Sequence, residues 1–191
     1  CGSVNTLIRD GDGWRGDSTD GIGILRDLRE HPAFEPRGRR VLLLGAGGAA
    51  RAVAFALAEA GVAELAIAAR SRARLDALAG AIGDVRVRAV EWPHLAREGE
   101  AADLLVNATS AGHAGIAPEL PAALLAPQTL CHDLSYGAAA APFLAWARAH
   151  GARAVDGLGM LVEQAAESFR LWHAQQPATA DVLACLRGGA P

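Results

Sequence analysis

The chain has 191 residues, 51% of them hydrophobic and 20% charged, which gives one ordinary domain, or one plus a fragment, and excludes a disordered segment. A net charge of -3 offers no basic face for nucleic acid or an anionic membrane, and no apolar run reaches the roughly 18 residues of a spanning helix. All 18 basic residues are arginine, so chemistry that needs an ε-amine cannot come from these residues.

Taken in chain order, Val4 to Arg9 is apolar and β-branched enough for a short strand, and Asp10-Gly11-Asp12-Gly13 is a turn signal. Trp14 to Asp17 returns as its partner. From Gly21, the residues Ile22, Ile24, Leu25 and Leu28 have helical spacing, with Thr19 or Asp20 as the cap. Pro32 and Pro36 close that segment, and Arg37-Gly38-Arg39-Arg40 reads as a solvated linker. Strands then alternate with helices. Strands are predicted at 41–44, 65–69, 85–90, 104–107, 129–134 and 153–155, and helices at 49–60, 72–79, 142–150, 159–175 and 179–187. Apolar strands separated by helices imply a doubly wound α/β fold, a Rossmann-like parallel sheet covered on both faces.

Gly45-Ala46-Gly47-Gly48-Ala49-Ala50 follows the apolar run at 41–44 and opens a helix, the setting in which a glycine turn holds a dinucleotide. Gly45 permits the tight turn, Gly47 lets backbone amides approach a pyrophosphate, and small Ala50 lets the helix lie close to the sheet. The next strand ends Ala69-Arg70-Ser71-Arg72-Ala73-Arg74. An NAD site usually places a carboxylate there for the ribose 2′-hydroxyl, whereas guanidinium groups suit a 2′-phosphate. NADP is therefore the expected cofactor.

Several stretches together resemble the shikimate dehydrogenase family. They are Val4-Asn5-Thr6, Ser18-Thr19-Asp20-Gly21, Gly45 to Ala50, Arg70-Ser71 with Arg74, Asn107-Ala108-Thr109-Ser110, Asp133 with Tyr136, and Asp156-Gly-Leu-Gly-Met160 running on through Gln164 to Phe169. The match covers the family's C-terminal two-thirds. It implies three portions: the end of the substrate domain with a hinge helix (1–36), an NADP-binding domain (37–156), and C-terminal helices returning towards the substrate domain (157–191). It also implies NADP-linked interconversion of shikimate and 3-dehydroshikimate, on the route to aromatic amino acids. Position by position, Asn5, Asp20, Tyr136 and Gln164 match substrate-contacting places, Asp20 being the carboxylate of the family's catalytic Lys–Asp pair. Gly45, Ala46, Gly47, Gly48 and Ala49 match the pyrophosphate site, and Arg70, Ser71 and Arg74 the 2′-phosphate site. Asn107, Thr109, Leu134, Gly157 and Met160 match residues around the ribose and nicotinamide.

The chain departs from the family in places. The lysine of the pair lies upstream of Val-Asn-Thr in the family, and the serines that hold the substrate carboxylate lie there too. Ser18 and Ala69 stand where Asn is usual, Ala141 stands where Thr is usual, and His113 occupies a usually apolar place. The opening Cys1-Gly-Ser-Val-Asn has neither an initiator methionine nor a signal-peptide layout, and the sequence reads as cut from a longer chain. Cys1, Cys131 and Cys185 form no disulfide framework and no zinc pattern, which points to a reducing cytoplasm. His31, His94, His132, His150 and His173 have no shared spacing with carboxylates or cysteines and read as surface or packed residues. The expected partner is a small-molecule substrate, with neither nucleic acid nor membrane, and a homodimer is compatible with the resemblance. Two alternatives stay open: a quinate/shikimate dehydrogenase using NAD, and a truncated nucleotide-binding module that is catalytically silent.

Overall fold

The structure is a computed structural model that describes residues 1–83, 85–116 and 118–188. It opens with an antiparallel hairpin, β1 (Thr6–Asp10) and β2 (Gly13–Asp17), in register Thr6 to Asp17. Helix α1 (Asp20–Glu30) leads to β3 (Arg40–Leu44), α2 (Gly48–Glu59), β4 (Glu64–Ala69), α3 (Arg72–Ala79) and β5 (Arg86–Glu91). The short helix α4 (Leu95–Glu98) precedes β6 (Ala102–Asn107) and β7 (Leu125–Asp133). Helix α5 (Ala141–Ala149), β8 (Arg153–Val155), α6 (Leu158–His173) and α7 (Ala180–Leu186) complete the chain.

Six strands form one parallel sheet in the order β5-β4-β3-β6-β7-β8. The doubly wound expectation holds, and its physical cause is visible in β3. Val41 and Leu43 enter the core under α1, α2, α3 and α6, while Leu42 and Leu44 enter the opposite core under α4 and α5. A strand buried on both faces must be apolar throughout, as this one is. Chain order reverses between β3 and β6, so the crevice for ligands opens at the carboxyl ends of those two strands.

Helix α1 is held between two others by glycines. A Cβ on Gly21 would lie 2.8 Å from the Ala56 Cβ and 3.1 Å from the Ala52 carbonyl oxygen of α2. One on Gly23 would lie 2.8 Å from the Gln164 Cβ of α6.

Three sequence expectations are corrected. The first strand begins at Thr6, since Val4 and Asn5 precede the paired register. Strand β7 begins at Leu125, four residues early, because exposed Pro127 and Gln128 sit where the chain pairs only loosely, across a register shift in β6. Helix α4 is absent from the sequence reading, being too short to show a period.

Candidate active site

At the start of α2, Gly45 has φ of +113°, and a Cβ there would lie 2.8 Å from the Ala108 carbonyl oxygen. Glycine is required at this position. Gly47 differs: its backbone is extended (φ -83°, ψ -172°), and a Cβ would meet nothing within 4 Å. Ala46 is half-buried, Gly48 and Ala49 are exposed, and no side chain caps the helix. The first-turn amides therefore face solvent beside the crevice, with the positive end of the helix dipole behind them.

At the end of β4, Arg70, Ser71 and Arg74 are all exposed, and the Ser71 hydroxyl accepts from the Arg74 amide at 3.5 Å to cap α3. The three nearby guanidinium groups are not equivalent. Arg72 is bound to Asp76 at 2.7 Å and to Glu91 at 2.9 Å. The guanidinium groups of Arg70 and Arg74 have no ion pair or side-chain hydrogen bond among the described residues. The two basic groups matched to the 2′-phosphate are thus the two left free.

Across the crevice, Asn107 ends β6 with its side chain tied to both of its neighbours in the crevice wall. Its amide donates to Asp133 at 2.8 Å, and its oxygen accepts from the Thr109 hydroxyl at 2.7 Å. Asn107 thereby holds Thr109 in place. Burial pushes the Asp133 carboxyl above the usual carboxylate range, opposed by donation from the Ser135 amide and Asn107. Leu134 is half-buried, and Gly157 lies so close to its carbonyl oxygen that no Cβ fits. Met160 is 6% exposed and packs in the core, so its side chain contributes mainly to the floor. Tyr136 is 50% exposed on the loop after β7.

The second cluster lies where the hairpin meets α1 and α6. The Asn5 amide nitrogen donates to the Asp20 carboxylate at 2.7 Å and to the Gln164 oxygen at 3.1 Å. The Asn5 oxygen accepts from the Thr6 hydroxyl at 2.9 Å and the Thr19 amide at 3.0 Å. Ser168 closes the network at 2.7 Å from the Thr6 hydroxyl. Three of the four expected substrate residues therefore converge.

One expectation fails here. Neither Thr19 nor Asp20 caps α1 with its side chain; the Thr19 hydroxyl turns instead to Asn5, Gln164 and Ser168. Ser18, standing at a usual Asn, keeps its backbone amide on Asp17, while its buried hydroxyl has no partner among the described residues. The His113 side chain lies outside the described residues.

The reading of His132 as a packed residue holds, but the histidines do share spacing with carboxylates, His31 standing four residues after Asp27 and His94 four before Glu98. Asp27 of α1, only 2% exposed, accepts from His132 Nε2 at 2.7 Å and from His31 Nδ1 at 2.8 Å. His132, the penultimate residue of β7, is fully buried. The alternation of β7 makes Leu130 and His132 share a face, so the residue shares its core with α1, which spacing along the chain cannot reveal. Its neighbour Cys131 is also buried, and burial pushes its thiol up to about 12.

The family model described as Shikimate / quinate 5-dehydrogenase matches residues 29–136, and that described as Shikimate 5'-dehydrogenase C-terminal domain matches residues 157–186. A shikimate dehydrogenase (NADP(+)) from Stenotrophomonas maltophilia (strain R551-3) is 52% identical over 193 residues, covering 100% of this chain and 68% of its own. An Ael1 enzyme from Pseudomonas putida superposes with a TM-score of 0.88 at 42% identity, over 98% of this chain and 68% of that one. Shikimate 5-dehydrogenase from Thermus thermophilus, solved in complex with NADP(H) and shikimate, gives a TM-score of 0.81 at 38% identity over 98% of this chain and 68% of that one. The glycine turn, the free arginines and the Asn5 cluster thus sit in a fold and a sequence shared along the whole length, and the chain belongs to the shikimate/quinate dehydrogenase family.

Proposed function

We propose that this chain is the cofactor-binding and hinge portion of an NADP-linked shikimate dehydrogenase, interconverting shikimate and 3-dehydroshikimate. The observation that carries the reading is Asn5, whose amide bridges Asp20 and Gln164 at 2.7 and 3.1 Å and so gathers polar groups from the hairpin, α1 and α6 at one place. A ring bearing several hydroxyls needs such alternating donors and acceptors. In this reading substrate hydroxyls exchange with the bonds that Asn5 makes to Asp20 and Gln164, Tyr136 reaches the substrate from the loop after β7, and the Asp20 carboxylate stands beside the reacting hydroxyl. Residues 1–36 close the substrate domain, 37–156 bind the cofactor, and 157–191 return towards the substrate.

The residues present fit the dinucleotide. The open space over Gly47 admits a pyrophosphate to the uncapped amides of α2, and Arg70 and Arg74 are free for a 2′-phosphate. A dinucleotide held there would supply the hydride acceptor for the carbinol carbon in the oxidative direction. The work of these residues is orientation and charge: Asp20 remains near the hydroxyl that loses its proton, and Thr109 and Leu134 line the ring's position. The lysine that pairs with Asp20 in the family is not among the 191 residues, so these residues alone bind NADP(H) without appreciable turnover. A cytoplasmic location and a homodimer are the finer parts of the same proposal, the latter read by light scattering.

The test has two parts. NADPH and NADH are titrated onto the 191-residue chain by fluorescence, with tighter binding of NADPH expected; equal affinities would overturn the 2′-phosphate assignment. The protein from the complete reading frame is then assayed for shikimate-dependent NADPH formation. Asp20→Ala should lower turnover by about 100-fold or more with NADP affinity retained. Absence of shikimate oxidation, or a loss confined to NADP binding, would refute the reading.

A further inference from the structure

Asp27 lies where the three elements that carry the Asn5 cluster and the crevice wall meet. It belongs to α1, about two turns after Asp20, and so lies on the same face of that helix. Its carboxylate accepts from His132 on β7 at 2.7 Å, one residue before Asp133 and the loop bearing Leu134 and Tyr136. The start of α6 packs directly on it: a Cβ on Gly159 would collide with the carboxylate, and Gln164 follows a little over one turn later. The pair is nearly sealed, with side chains 0% and 3% exposed, so water does not replace the bond.

A carboxylate only accepts, so His132 donates through Nε2 and His31, nearer the surface, donates through Nδ1. His132 Nδ1 is buried without a partner among the described residues, which leaves the single bond to Asp27 to set the ring's orientation. Breaking that bond would leave the buried carboxylate with His31 as its partner and remove the side-chain tie between α1 and β7.

We propose that His132 and Asp27 are positioning residues for the dehydrogenase reaction: their bond fixes the rotation of α1 and so the placement of Asp20 against the loop of Leu134 and Tyr136. The proposal rests on the function assigned above. A carboxylate placed wrongly by even about an ångström is enough for a large rate loss in a reaction that depends on alignment.

The test uses two amides in the protein from the complete reading frame. His132→Gln keeps an N–H donor near the Nε2 position, whereas His132→Asn carries one near Nδ1, out of reach of Asp27. With shikimate and NADP, the asparagine variant is expected to lose about tenfold or more in kcat, with NADP affinity and the KM for shikimate changed less than about threefold. The glutamine variant is expected to recover kcat to within about threefold of the parent at a similar melting temperature. Equal kcat in all three proteins would overturn the proposal, as would a loss of activity that follows the melting temperature in both variants, or one confined to KM. If the asparagine variant does not fold, Asp27→Leu, which keeps the branched shape but has no acceptor for His132, replaces it with the same expectations. A parent that does not oxidise shikimate refutes the functional reading instead, so the two failures are distinct.

Discussion

The two glycines of the cofactor turn make opposite predictions when each is replaced by alanine. At Gly47 the backbone is extended and a Cβ meets nothing within 4 Å, so Gly47→Ala fits without strain. The smaller entropy of its unfolded chain favours folding by about 0.4–1 kcal/mol, and the poorer helix cap costs a similar amount, so stability should stay within about 1 kcal/mol. For a chain of this size that moves the melting temperature by less than about 4 °C. The new methyl group occupies the approach to the α2 amides. Losing two charge-assisted bonds to a pyrophosphate costs about 3 kcal/mol or more, close to a 100-fold weaker Kd for NADPH. Gly45→Ala, by contrast, meets a φ of +113° and the Ala108 carbonyl oxygen at 2.8 Å, and should destabilise the fold by about 2–4 kcal/mol. Fluorescence titration and thermal melts of the 191-residue chain read both effects. Wild-type NADPH affinity in a folded Gly47→Ala variant would refute the placement of the diphosphate over α2.

Removing both free guanidinium groups in Arg70→Ala/Arg74→Ala should weaken NADPH by about 10- to 100-fold and NADH by less than about threefold, measured by the same titration. Glu167 is held below the usual carboxylate range first by Arg170 and then by Arg26, against the opposing effect of burial. Its contribution to stability is therefore full above its unfolded value of 4.5 and is lost as pH falls through the lower folded value. Denaturant melts should show Glu167→Gln less stable than the parent by about 1–2 kcal/mol at neutral pH, with the gap closing in acid. Ellman's reagent at mildly alkaline pH should find Cys1 and Cys185 reactive in the folded chain, while Cys131, its thiol pushed up to about 12, reacts only after denaturation.

The parts legible in the sequence are those whose cause is local. Leu42, Leu43 and Leu44 must all be apolar because both faces of β3 are covered, and Gly45 must be glycine because its φ is positive. Asn5, Asp20 and Gln164 come together in the sequence only through resemblance; nothing in their spacing foretells that one amide joins the other two. The bond of Asp27 to His132 is invisible there for the same reason, since it depends on the face that α1 turns to β7. Periodicity finds which residues are buried but not which buried polar groups meet. Thr19 misleads because a threonine ahead of a helix is an ordinary cap, and here the tertiary partners Asn5 and Ser168 take its hydroxyl instead.

Gly21 and Gly23 have a mechanical consequence. With backbone nearly touching backbone on either flank, no layer of pliable side chains is left to absorb sliding of α1 against α2 or α6. The three helices should travel as a single block, keeping the amino end of α2 and the amide of Gln164 at a fixed span. Any clamping movement around bound molecules must then be taken up by joints outside that block.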